Sequence, residues 1–182
     1  MDFFLYSNNK MTKKAIFVYG RFNPPTRGHK AMIDKLIANA KKMGADPYVV
    51  VTHTQNKKKN PLTSMEKKAI IEQLYPGVPV LATSKTSPNP IYIVNKLKKN
   101  NYTNISMMVG SNRLNSFGFV GIPVLSGGVR DPNSNNVSGF SATKAREAAQ
   151  RGNLKSFKKI VNTNDHLGLM SLIKNRLFPE NK

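Results

Sequence analysis

The stretch GRFNPPTRGHK, Gly20 to Lys30, follows the apolar run AIFVY at 15–19 without a break and crowds two prolines, two arginines and a histidine into one turn. The run before it is short, continuous in its hydrophobicity and rich in β-branched and aromatic residues, the pattern of a strand buried on both faces. After the turn the spacing changes. GHKAMIDKLIANAKKMG, 28–44, sets Met32, Leu36, Ile37 and Met43 toward one face and stops at Gly44, which predicts an amphipathic helix. Pro24 and Pro25 fix φ and lack an N–H, so they are expected to carry the chain extended out of the strand. Gly28 admits the close approach of another group. The helix then opens on N–H groups that have no intrahelical partner and that, with the helix dipole, form an anion site to which Arg21, Arg27, His29 and Lys30 add charge or donors. Taken alone, the turn equally describes a rigid connection whose basic residues are solvated.

The same alternation runs on along the chain. YVVVTH (48–53), VPVLA (78–82), ISMMVG (105–110) and IPVLSG (122–127) read as further buried strands. TSMEKKAIIEQLYPG begins on a Thr63–Glu66 capping box and closes at Pro76 and Gly77, IYIVNKLKKNN (91–101) is a third helix, and from Ser141 onward the pattern is helical with short breaks. Strands alternating with helices predict an α/β fold: a Rossmann-like parallel sheet of about five strands, helices on both faces and a helical C-terminal part over about 141–178. With 182 residues the chain is expected to form one domain over 13–182 behind a flexible extension over 1–12. In such sheets ligands bind beyond the carboxyl ends of the strands, where strand order reverses. The quoted turn leaves a strand there, as do the segments around Gly110 and Arg130.

Composition narrows the chemistry. There is no cysteine, which excludes disulfides and thiolate metal sites and fits a reducing compartment. The opening MDFFLYSNNK has too short an apolar patch for a signal peptide or a membrane span, so a soluble, intracellular protein with no membrane partner is expected. The 29 basic residues against 9 acidic ones give +20, a field that attracts polyanions such as nucleotides or, nonspecifically, nucleic acid. Much of this excess is lysine dispersed along the chain, which a biased composition produces as readily as a binding face does.

GRFNPPTRGH resembles the signature of the nucleotidyltransferase superfamily described by its HxGH motif, which includes nicotinamide-nucleotide, phosphopantetheine and cytidylyl transferases. The form with Thr in place of the first His is similar to that of the phosphopantetheine branch and of virus- and phage-encoded members. FSATKAREAA, 140–149, resembles the second signature, a Ser/Thr-rich helix start followed by Arg; alone it is an ordinary N-capped surface helix. NPLTSMEKKAII and VGSNR resemble segments of nicotinamide-nucleotide enzymes.

The resemblance implies transfer of a nucleoside monophosphate, AMP from ATP, onto a phosphate-bearing small molecule with release of pyrophosphate and no covalent intermediate. It implies that His29 donates to oxygens around the α-phosphorus, that Thr26 stands in for the first His as a neutral donor, and that Arg21 reaches the acceptor or the triphosphate. Ser141 and Thr143 would offer donors to the β- and γ-phosphates, and Arg146 would carry charge. Gly20, Phe22, Asn23, Pro24, Gly28, Gly110, Ser111, Asn112, Arg113 and Arg130 would complete the nucleotide site. Asn112 stands where relatives commonly carry Asp. Magnesium is implied, carried mainly by the triphosphate, because acids are few. The acceptor is open: the nicotinamide branch stacks its ring on Trp, which this chain lacks, leaving Tyr48, Tyr92, Phe117 or Phe119 as substitutes. The contrasting reading is a catalytically weak or inactive protein of this fold that binds nucleic acid or serves in a viral assembly.

Overall fold

The computed structural model describes residues 12–128 and 136–180. Arg130 and all but the last residue of the 1–12 extension lie outside the described residues. In chain order the elements are β1 (Lys13–Gly20), α1 (Arg27–Met43), β2 (Asp46–Val51), α2 (Ser64–Leu74), β3 (Val80–Ala82), α3 (Pro90–Lys99), β4 (Tyr102–Val109), β5 (Val124–Ser126), α4 (Ala142–Gln150), α5 (Leu154–Ile160) and α6 (His166–Leu177). The five strands form one parallel sheet in the order β3-β2-β1-β4-β5, with Val18 paired to Val49 on one side and Met108 on the other.

Both faces of the sheet are covered, which explains the continuous apolar strands. Ile16, Val18, Val49, Val51 and Met108 pack with Ile33, Leu36 and Ala40 of α1 and Ile71 of α2. Phe17, Val50, Met107 and Val109 face the other way, toward Ile93, Val94 and Leu97 of α3. The inward face of α1 is therefore rotated from the sequence expectation, and Ile37 is exposed. Strands β2 and β4 start earlier than their apolar runs, because parallel pairing to β1 recruits residues such as Asp46, Thr103 and Asn104 that hydrophobicity does not mark. Between β4 and β5 lie two 3-10 helices, Ser111–Ser116 and Gly118–Val120, which no periodicity announces.

The helices from α4 to α6 form a third cluster, in which Ala145, Ala149, Phe157, Val161 and Ile173 bury Leu62 from the β2–α2 connection. This unit is stitched to the β1–α1 turn. Thr26 bridges to Val161, the Asn162 N–H donates to the Pro25 carbonyl at 3.2 Å, and Arg27 Nη2 donates to the Lys158 carbonyl at 3.3 Å. The late helices thus hold the first turn in place.

Candidate active site

Strand order reverses between β1 and β4, and a cavity of about 460 Å³ opens there, beyond the carboxyl ends of both strands. The turn 20–29 forms one wall, and it is tighter than an extended exit from the strand. Phe22 sits at φ 48° and the Asn23–Pro24 peptide is cis. Gly28 is the close approach that sequence anticipates: a Cβ there would lie 3.1 Å from the Phe140 carbonyl oxygen and 3.3 Å from that of Val137.

Thr26 and His29 cap α1 together. Thr26 Oγ1 accepts the His29 N–H at 3.3 Å, and His29 Nδ1 accepts the Thr26 N–H at 2.9 Å, a capping box in which His replaces the usual Glu or Gln. Because Nδ1 accepts, the neutral ring carries its proton on Nε2. The Thr26 hydroxyl donates to the Phe140 carbonyl at 3.3 Å, and the buried Phe22 ring lies 4.6 Å from the imidazole, centre to centre. The imidazole is held by its own element, by the turn before it and, through Thr26, by the segment ahead of α4.

The second signature meets the first. Arg146 Nη1 donates to the Asn23 carbonyl at 3.0 Å and Nη2 to Thr143 Oγ1 at 3.2 Å, so α4 presents its first turn to the same crevice as α1. Burial, and after it the nearby Arg21, push the Arg146 guanidinium below its usual value. Arg21 is exposed and Arg146 partly buried, and two such neighbouring cations favour an anion between them.

Of the residues singled out in sequence, Gly20, Arg21, Phe22, Asn23, Thr26 and Gly28 line the crevice with His29 on this wall. Gly110, Asn112 and Arg113 line it from the segment after β4, and Thr143 and Arg146 from α4. Five of the described ones do not. Pro24 is buried, Arg27 turns to the Lys158 carbonyl, Lys30 pairs with Asp34, Ser111 donates its N–H to the Gly128 carbonyl, and Ser141 spends its side chain capping α4, where Oγ accepts the Lys144 N–H. Nor do Tyr48, Tyr92, Phe117 or Phe119 reach it. Tyr48 hydrogen-bonds Tyr102 near the opposite ends of the strands, and Phe117 is buried beneath Arg113, whose guanidinium carbon lies 4.9 Å from the ring centre. The aromatic residues present are Tyr19, Phe22 and Phe140. Tyr19, last but one in β1, donates to the Pro88 carbonyl at 3.3 Å, and burial raises its hydroxyl above the usual range against the opposing pull of Arg113.

Sequence reasoning missed Lys59 and the Gly127–Gly128 pair, whereas Asn60 opens the NPLT segment already singled out. The glycines follow a strand at its carboxyl end, a signal that could have marked them. Lys59 is one of three lysines ahead of NPLT, and only the folded turn selects it. His53 and His166 lie elsewhere, bonded to Thr83 and to the Val161 carbonyl.

Among the described residues no carboxylate lines the crevice, and no group of three His, Cys, Asp or Glu side chains could hold a metal. The donor set suits phosphate and does not suit Mg²⁺, which prefers carboxylate, phosphate and water oxygens. Any magnesium would arrive as part of a Mg·nucleotide substrate.

Among solved structures, Plasmodium falciparum nicotinic acid mononucleotide adenylyltransferase complexed with NaAD matches with a TM-score of 0.60 at 16% identity, over 92% of this chain and 97% of that one. The same enzyme complexed with APC matches with a TM-score of 0.60 at 15% identity, over 92% and 98%. A macrolide-efflux protein from Streptococcus pneumoniae matches with a TM-score of 0.52 at 16% identity, over 81% of this chain and 54% of that one. At such identities the likeness is one of fold. No curated protein sequence matches the chain significantly. No helix of the described residues is long and apolar enough to cross a membrane. The model of the family described as cytidylyltransferase-like matches residues 17–148, from within β1 to within α4, and so takes in both walls of the crevice: the chain belongs to the cytidylyltransferase-like family of nucleotidyltransferases.

Proposed function

We propose that the protein transfers AMP from ATP to a phosphate-bearing acceptor by in-line attack of the acceptor on the α-phosphorus, releasing pyrophosphate without a covalent enzyme intermediate. The observation that carries this is the meeting of two helix starts, α1 and α4, across one crevice, joined by the Arg146 bond to the Asn23 carbonyl. A reaction of two polyanions needs positioning and charge neutralisation more than it needs a nucleophile, and the described lining of this crevice supplies cations and backbone donors. His29 Nε2–H donates to the oxygens at the α-phosphorus, where negative charge builds as the bond to pyrophosphate breaks. Thr143 and Arg146 hold the β- and γ-phosphates with the first N–H groups of α4. Arg21 and Lys59 neutralise the acceptor phosphate. The fold likeness to an adenylyltransferase and the adenylyl-like form of the first turn support ATP over CTP.

The test is a screen of pyrophosphate release with Mg·ATP and Mg·CTP against nicotinic acid mononucleotide, nicotinamide mononucleotide and phosphopantetheine. His29→Ala is expected to lower release by at least about 100-fold in a protein that still unfolds cooperatively, its melting temperature reduced by the few degrees that loss of the α1 capping bond costs. Mg·ATP is expected to raise that temperature by binding the native state. Should neither nucleotide stabilise the protein while duplex DNA does, with a steep loss at high salt, the reading of a nucleic-acid-binding or assembly protein would replace this one.

A further inference from the structure

The transferase chemistry leaves α6 without a part, since none of its side chains lines the crevice. One of its last residues nevertheless reaches the segment that carries Lys59 and Asn60 into it. That segment is a closed turn. Asn56 Oδ1 accepts from the N–H groups of Lys58 at 3.0 Å, Lys59 at 2.8 Å and Asn60 at 3.3 Å, and the Asn56 N–H donates to the Asn60 carbonyl at 2.9 Å. These bonds make the turn a unit without fixing where the unit sits.

Two clamps fix it. On the crevice side, Asn23 Oδ1 accepts the Leu62 N–H at 2.8 Å and Asn23 Nδ2 donates to the Leu62 carbonyl at 3.1 Å. On the far side, Arg176 Nη1 donates to the Pro61 carbonyl at 2.8 Å and to Glu66 Oε2 at 2.6 Å, while Nη2 donates to Glu66 Oε1 at 2.7 Å. Glu66 is itself bound into the cap of α2, where Oε2 accepts the Thr63 N–H at 2.9 Å. Pro61 directly follows Asn60, so the guanidinium grips the chain one residue from the cavity lining. Its two-pronged pairing with a half-buried carboxylate fixes direction as well as distance.

We propose that Arg176 is a positioning residue for the phosphorylated acceptor: from α6 it sets the place of the 56–60 turn, and with it the place of Lys59 in the crevice. The proposal rests on the transferase reading, in which the α1 and α4 starts hold the triphosphate and leave the Lys59 wall to the second substrate.

The experiment compares Arg176→Gln, Arg176→Lys, Lys59→Ala and the Lys59→Ala, Arg176→Gln double variant in the full chain. Kinetics use Mg·ATP with whichever of the three acceptors above is turned over. Arg176→Gln is expected to raise the acceptor KM about tenfold, with kcat and the ATP KM within about twofold. Arg176→Lys should recover part of that loss. In the Lys59→Ala background Arg176→Gln should add nothing, because it acts through that side chain. A loss confined to kcat or to the ATP KM, or additive effects in the double variant, would overturn the acceptor role. Hydrogen exchange without substrate reads the clamp independently. The amide of Leu62, which ties the segment to Asn23 and directly follows the gripped Pro61, should exchange at least about tenfold faster in Arg176→Gln, with those of β1 and β4 unchanged. Unchanged exchange at Leu62 would overturn the clamp. If the wild-type protein released no pyrophosphate, the transferase reading and the acceptor role would fall together, and exchange alone would decide the clamp.

Discussion

The imidazole of His29 shows how completely a single side chain is fixed by its own turn. Its Nδ1 is occupied by the Thr26 N–H, its face lies against Phe22, and the Thr26 hydroxyl ties the pair to Phe140. The family's interest in this position is legible in TRGH as a motif. What the sequence does not show is that His serves as the accepting partner in a capping box, because the motif names residue types and not the hydrogen bonds among them. Asn23 is similar: its amide, which looks like turn chemistry on paper, crosses to Leu62. Lys67 is a buried cation that no pattern flags, since a lysine on an amphipathic helix is normally solvated. Its side chain is fully buried and its ammonium donates to the Thr52 carbonyl. Burial pushes the ammonium down to about 8. The folded value is the lower one, so the full cost of burying charge is present below about pH 8 and is relieved as pH rises toward the unfolded value near ~10.4. Wild-type stability, measured by urea unfolding, should therefore rise relative to Lys67→Met between pH 8 and about pH 10, by at most about 3 kcal/mol. Parallel pH profiles would show that Lys67 does not titrate in this window.

At the scale of elements, what the sequence announces is what has a period or a cap. Strand β1, helix α1 with Gly44 at φ 61°, and the Thr63–Glu66 and Ser141 caps all form as the residues suggest. The 3-10 helices after β4 carry neither signal, and they are where Arg113 and Asn112 are aimed into the crevice. Partnerships between elements are equally silent, because an ion pair between residues 66 and 176 leaves no local trace. Arg176 holds the Glu66 carboxyl below the ordinary glutamate range, its hydrogen bond outweighing the effect of burial. Since the folded value is the lower, the stabilisation is present above the unfolded value and lost as pH falls through the folded one. The melting temperatures of wild type and Arg176→Gln should therefore differ at neutral pH and converge as pH falls below about 4. A gap that persists in acid would mean that the Pro61 bond, which does not titrate, carries the whole effect.

For the molecule as a whole, alternating patterns suffice to predict parallel strands, but they do not order them. The order β3-β2-β1-β4-β5 brings Gly20 and Gly110 to one rim although 90 positions separate them by number, and it is this order that turns two weak motifs into one cationic crevice. The same concentration of charge works against the folded chain. The net charge is +20, and the described residues contain three ion pairs, of which only that between Arg176 and Glu66 is more than an exposed pair within one helix. Exposed i,i+4 pairs contribute little, so repulsion among cations dominates the long-range field and should be screened by salt. Raising NaCl from about 20 to about 300 mM, with chloride chosen because sulfate and phosphate would occupy the crevice, should raise the melting temperature by about 2–4 °C, the shift that about 1 kcal/mol produces at this chain length. Any retention on duplex DNA should fall over the same range, since counterion release then opposes binding. A melting temperature that drops with added chloride would instead mean that attractive pairs outweigh the excess of lysine.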